Sequence, residues 1–328
     1  MIGRDKELQV ALEHMKVGKF QFRIRALENI GLPAFHGATL RGGFGQALKG
    51  VACALRNQGC DGCLLRNQCV YLYLFDTPPP ADAAMMRLYP AAPHPFVIEP
   101  PEAYTRVTAP GETLEFNLVL IGRALEYLAY FTYAFIRLGK QGLGRGRGKF
   151  DLEEISIAAG NGATPIYRQS EKTLRQPLVP DSAETLVQRV RQLSGSTRLS
   201  LRFITPTRIK FAEKLVEKPD FHHLIRSLLR RISSLSYFHC GTRLELDFRD
   251  LIERAQTIRR DDYRLRWVDR ERYSTRQKQH MTLGGFVGEV SFEGDFTEFL
   301  PFLALGELVH TGKGATFGLG RYETQKLE

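Results

Sequence analysis

The sequence predicts an α+β protein of two tandem ferredoxin-like (βαββαβ, RRM-like) domains, each with a glycine-rich loop before its last strand. Three observations predict it. Residues 114–121 (LEFNLVLI) read as a strand and 124–138 as an apolar helix, followed by a glycine loop at 142–149 and the strand-like FDLEEISI. The same order returns near the C-terminus, where FVGEVSF, TEFLPFLALGELVH, a second glycine loop and RYE succeed one another. Upstream of each unit, an alternating strand and a helix complete the βαββαβ pattern.

The elements follow in order. Residues 20–26 (FQFRIRA) alternate apolar with polar side chains, the period of a half-buried strand, and Gly31 and Pro33 break it. Thr39 is a suitable N-cap for a helix over 40–56, weakened by Gly42, Gly43 and Gly45. Residues 77–110 are proline-rich and read as an irregular surface connection. After the first glycine-loop unit, 161–196 is polar with one helix at 182–193, so the domains are placed at 1–194 and 195–328. Residues 197–204 (TRLSLRFI) alternate again. Residues 221–237 carry Leu224, Leu228, Ile232 and Leu235 on one helical stripe. YRLRWV then places Tyr263, Leu265 and Trp267 on one strand face, with Arg264 and Arg266 on the other. Gly284 and Gly285 mark the hairpin before FVGEVSF.

Composition narrows the partners. The 328 residues suffice for two domains with separate cores. A net charge of +10 favours a polyanionic partner over a small acidic metabolite. No run approaches the roughly 20 apolar residues of a membrane span. The polar start IGRDKELQVALEHMK lacks a signal-peptide apolar region, so a cytoplasmic protein with no membrane partner is expected.

Several residues could carry chemistry. In the C-terminal loop Gly312, Gly314, Gly318 and Gly320 remove most Cβ atoms, so backbone amides could approach a ligand closely, with Lys313 and Arg321 adding charge. The loop follows a helix instead of opening one, and its spacing fits no nucleotide-binding signature, which leaves an extended polyanion as its ligand. Arg145, Arg147 and Lys149 play the same part in the first loop. Arg264 and Arg266, beside Tyr263 and Trp267, fit an RNA-binding strand pair; a solvated sheet face is the plainer reading.

His36, between the first strand and first helix, can exchange protons near neutral pH, and Arg41 close by could neutralise a phosphate. His310, at the end of the last helix, is explained by the helix dipole or by a phosphate in the loop. His222 and His223 show no metal spacing with acidic partners. Cys53, Cys60, Cys63 and Cys69 form C-x6-C-x2-C-x5-C, which suits a structural zinc, with an iron–sulfur cluster second. Unmetallated thiols and disulfides stay open.

At this point the residues resemble a family. The basic, duplicated architecture is similar to the RAMP superfamily of CRISPR-associated proteins. LGELVHTGKGATFGLGRYE resembles the C-terminal motif of its CRISPR RNA-processing endoribonucleases. LRGGFGQALKGVACA, with the cysteines and CVYLYLFD, resembles the cysteine-bearing branch. The resemblance implies binding and cleavage of precursor CRISPR RNA within its repeats, without a catalytic metal, by attack of a ribose 2′-OH. It implies CRISPR repeat RNA as partner, with other CRISPR-associated proteins beside it. His36 would be the general acid or base, Arg41 or Lys49 would stabilise the phosphate, and His310 with Lys313 is the second choice. A non-catalytic RNA-binding subunit is the alternative.

Overall fold

A computed structural model describes residues 15–55, 59–79, 92–101, 106–159, 162–175, 182–269, 271–274 and 279–327. The chain divides into two compact units, Val17–Pro180 and a second from Asp181 onward, which Met15 and Lys16 join.

The first unit runs β1 (Val17–Ala26), α1 (His36–Ala52), α2 (Val70–Phe75), β2 (Phe96–Glu99), β3 (Thr113–Ile121), α3 (Leu128–Gln141), β4 (Phe150–Ala159), β5 (Gly162–Arg168) and β6 (Thr173–Leu174). Its sheet order is β2-β3-β1-β4-β5-β6, antiparallel throughout, so the first four strands have ferredoxin-like connectivity. Phe20, Phe22 and Ile24 are buried as the alternation requires. Against them pack α1 and α3, with the Phe44 and Phe131 rings stacked at 4.7 Å. On the other face charges pair across strands: Arg23 and Arg25 with Glu153, and Lys19 with the buried Glu99.

Two expectations fail here. The first helix begins at His36, not Leu40, and ends at Ala52; its N-cap is Phe35, with no side-chain cap from Thr39. Gly43 and Gly45 are tolerated because they admit neighbours: a Cβ on Gly45 would lie 2.3 Å from the Phe75 ring. The proline-rich connection is not wholly irregular either. FVIE at its centre is β2, buried along its length and paired with β3. Four residues are too few to show a period, so only the neighbouring strand reveals it.

The second unit runs α4 (Ser182–Leu193), β7 (Arg198–Thr207), β8 (Lys210–Phe211), β9 (Lys214–Leu215), α5 (Phe221–Cys240), α6 (Phe248–Ala255), β10 (Arg259–Val268), β11 (Glu271–Ser274), β12 (Gln279–Thr282), β13 (Gly285–Glu293), α7 (Leu300–Val309) and β14 (Tyr322–Lys326). The sheet order β10-β13-β7-β14 repeats the connectivity of the first unit. All four residues of the predicted α5 stripe, Leu224, Leu228, Ile232 and Leu235, are buried. The units part at Pro180–Asp181, ahead of residue 194, because α4 packs with the second. Arg189 on α4 holds Glu307 with two hydrogen bonds of 2.9 Å and also donates to the Thr324 carbonyl.

Candidate nucleic-acid interface

The C-terminal glycine loop joins α7 to β14, as expected, but its glycines serve the protein's own chain. Gly312, Gly314, Gly318 and Gly320 all have positive φ, 74°, 84°, 81° and 77°. A Cβ on Gly320 would stand 1.8 Å from the Thr311 carbonyl oxygen, and one on Gly312 would stand 2.6 Å from that of Arg208. Several of the loop's amides are engaged internally. Thr311 N–H donates to Gly320 C=O (3.0 Å), Gly320 N–H to Pro206 C=O (3.1 Å), Gly312 N–H to Ser227 Oγ (3.1 Å) and Lys313 N–H to Arg208 C=O (2.9 Å). This corrects the reading of a bare backbone offered to a ligand. Gly318 and Gly320 are buried, Arg321 is half-buried beside Glu323, and Lys313 stands exposed.

His310 is fully buried, with φ 64°, and its Nδ1–H donates to the Leu319 carbonyl at 2.9 Å. It pins the loop from inside, so a phosphate on the loop's surface does not meet its ring.

The first loop differs. Leu143 and Gly148 exchange backbone hydrogen bonds, and Arg145 N–H donates to Gly31 C=O at 2.8 Å. That hairpin lifts Arg145, Gly146 and Arg147 into solvent. The two guanidiniums make no ion pair among the described residues, whereas Lys149 is 3.1 Å from Glu28. A bare cation pair on a rigid tip is what a polyanion meets first.

His36 occupies the first turn of α1 and is 3% exposed. At 100° per residue, Arg41 and Lys49 lie about 140° around the helix from it in opposite senses. Arg41 lays its guanidinium 3.9 Å from the centre of the Phe75 ring. The Lys49 ammonium is exposed, 5.7 Å from the Tyr71 ring. The three do not aim at one point.

On edge strand β10, Arg264 and Arg266 are exposed, and Arg264 is in register with Glu289 of β13. Tyr263, Leu265 and Trp267 share the opposite face and are only part-covered. A hydrogen bond from Lys218 holds the Tyr263 hydroxyl below its ordinary pKa.

The four cysteines are half-buried free thiols, Cys53 ending α1 and Cys69 preceding α2. Among the described residues no three of their sulfurs lie within 4.8 Å of one another.

His222 and His223 do have an acidic partner: with Asp220 they form a set of ligand-type atoms within 4.8 Å. Phe211 lies against both rings and Arg226 over the Phe211 ring. A helix-opening D-x-x-H could have signalled the cap, but not the hairpin that brings Phe211.

Fold and loops together define a basic, tandem ferredoxin-like protein. Residues 15–179 match a family model described as the AF_1859_N N-terminal domain, and residues 201–322 match that of the CRISPR-associated endoribonuclease Cas6. The chain thus joins an N-terminal domain of the AF_1859_N family to a C-terminal domain of the Cas6 family. An uncharacterized protein of Archaeoglobus fulgidus is 24% identical over 295 residues, 88% of this chain and 91% of the relative. Among solved structures, a product complex of Cas6 from Thermus thermophilus superposes with a TM-score of 0.56 at 16% identity, covering 94% of this chain and 99% of that one. A chain of a partial Cas6-RT-Cas1–Cas2 complex gives 0.56 at 14% identity, over 95% of this chain and 46% of that one. These likenesses establish the tandem ferredoxin-like fold. No described helix is long and apolar enough to cross a membrane.

Proposed function

We propose that this protein is an endoribonuclease that binds precursor CRISPR RNA and cuts it within the repeats, releasing guide RNAs. The observation that carries the reading is the Cas6 endoribonuclease match over residues 201–322 on a chain whose two halves share one fold. The exposed Arg145 and Arg147 supply phosphate contacts, with Lys313, Lys149, Arg264 and Arg266 as further positive charges along the two units.

The chemistry needs no metal. The ribose 2′-oxygen bonds to the adjacent phosphorus as its proton passes to a base. The P–O5′ bond breaks and the leaving oxygen takes a proton from an acid. The products are a 2′,3′-cyclic phosphate and a 5′-hydroxyl, and cations offset the charge on the pentacoordinate phosphorus. His36 is the proton-transfer group of this reading, with Arg41 or Lys49 at the phosphate. Its burial requires that RNA open the start of α1 before the ring is used. The reading places the protein in the cytoplasm, beside other Cas proteins of the kind named in the Cas6-RT-Cas1–Cas2 complex.

A second reading, a non-catalytic RNA-binding subunit, is favoured by the burial of both His36 and His310. Incubation of the protein with its host's repeat RNA in EDTA separates the two. Cleavage at one position, abolished in His36→Ala with RNA binding retained, supports the nuclease. Tight binding with uncut RNA supports the subunit.

A further inference from the structure

The start of α5 gathers groups that the proposed reaction does not use. Asp220 and His223 cap the helix reciprocally: the Asp220 carboxylate accepts from the His223 amide, and the Asp220 amide donates to His223 Nδ1 at 3.0 Å. An Nδ1 that accepts a hydrogen bond carries no proton, so the ring's proton lies on Nε2 and Nε2–H is a donor. His222 packs against His223 with the rings tilted by 49° and their centroids 4.0 Å apart, and its own Nδ1 is buried with no hydrogen-bond partner. The β8–β9 hairpin folds back so that Phe211, 38% exposed, lies 4.6 Å from the His223 ring. Arg226 covers Phe211 at 5.4 Å.

Two histidines and a carboxylate suggest a transition metal, but the charges around them oppose a cation. Asp220 is already bound by Arg260 at 3.0 Å, and Glu213 by Lys210. Arg226 makes no ion pair among the described residues, and its Nε is buried without a partner. His223 would also surrender its cap to free the lone pair a metal needs. What remains is a net positive, partly desolvated corner with an aromatic wall, which suits an anion joined to a flat ring.

We propose that Phe211, His222, His223 and Arg226 form a binding site for one nucleotide of single-stranded RNA. The His223 Nε2–H and the Arg226 guanidinium hold its phosphate, and Phe211 supports its base. The inference rests on RNA being the partner and adds where the second unit grips it.

The site has a titration signature. Burial, chiefly, and then Arg226 for His222 and the neighbouring ring for His223, lower both histidines below their ordinary pKa, against the opposite pull of Asp220; Arg226 and Arg260 add to the lowering at His223. A bound phosphate reverses that balance at His222, whose unpartnered Nδ1 can take a proton without breaking the cap, so RNA binding takes up a proton and strengthens as pH falls below neutrality.

The test is fluorescence anisotropy of the full chain with a labelled single-stranded repeat RNA, between about pH 5.5 and 8. Wild type tightens severalfold on acidification. His223→Gln keeps the cap, since glutamine is a preferred capping-box residue, and so melts like wild type while losing the Nε2–H donor and weakening binding severalfold. His222→Gln removes the pH slope. Arg226→Gln weakens binding about tenfold at every pH. RNA binding by wild type that is unchanged in affinity and slope in all three variants overturns this site and leaves the RNA reading standing. No RNA binding by wild type at any pH overturns the RNA reading itself. Tight zinc binding by the RNA-free protein, lost in His222→Gln while Arg226→Gln binds RNA normally, overturns the site in favour of a cation.

Discussion

Gly320→Ala tests what the C-terminal glycines are for. At φ 77° an alanine costs about 1 kcal/mol from backbone strain alone. Its Cβ would also lie 1.8 Å from the Thr311 carbonyl oxygen and 2.8 Å from that carbonyl's carbon, so backbone must move by more than an ångström. That movement breaks the Thr311–Gly320 and Gly320–Pro206 hydrogen bonds, each worth about 1 kcal/mol or more when its groups stay buried. The sum is roughly 3–5 kcal/mol, which at about 2–4 °C per kcal/mol lowers the melting temperature of the second unit by on the order of 10 °C. Gly146→Ala is the control. Its φ is 85°, but its Cβ meets nothing within 4 Å, so about 1 kcal/mol and a few degrees are expected. Thermal melts of both variants by circular dichroism, with RNA affinity measured in parallel, decide the matter. A Gly320→Ala protein that melts like wild type but has lost RNA would refute the internal role and restore the glycines to ligand contact.

Other outcomes follow from the same geometry. Arg145→Gln with Arg147→Gln should lower the slope of log affinity against log salt by about 0.7 per lost contact, with stability unchanged, in RNA binding assayed over a salt series. Arg189→Met removes the partner of the part-buried Glu307 and should cost about 2–4 kcal/mol in urea unfolding; recovery in Arg189→Met/Glu307→Leu would show that the stranded carboxylate is the cause. His222 and His223 are both held below their ordinary pKa, so the unfolded chain binds more protons near pH 6. Their contribution to stability is therefore full above about pH 6.5 and fades as pH falls through the lowered values, and His222→Gln/His223→Gln should flatten that part of the stability–pH curve.

Much of the fold was written in local patterns. Alternation in FQFRIRA and TRLSLRFI identified the central strand of each sheet, and the leucine stripe at 224, 228, 232 and 235 identified the buried face of α5. The repeated order of strand, apolar helix, glycine loop and strand identified the duplication. The FVIE strand was beyond reach: its four residues acquire a face only by pairing with β3.

The chemistry divides the same way. Residue order by itself determined that two glycine-rich turns would each stand between a helix and a closing strand, and that positive charge would gather on them, because backbone freedom and side-chain charge belong to the residue. Tertiary structure alone decided which atom fills the place of each missing Cβ: a carbonyl of the same loop at Gly320, open solvent at Gly146. It also decided that His36 and His310 are buried and that Phe211 meets His223 twelve residues later in a shared corner. Burial and proximity are properties of the packed chain, since they depend on neighbours that the local sequence does not contain.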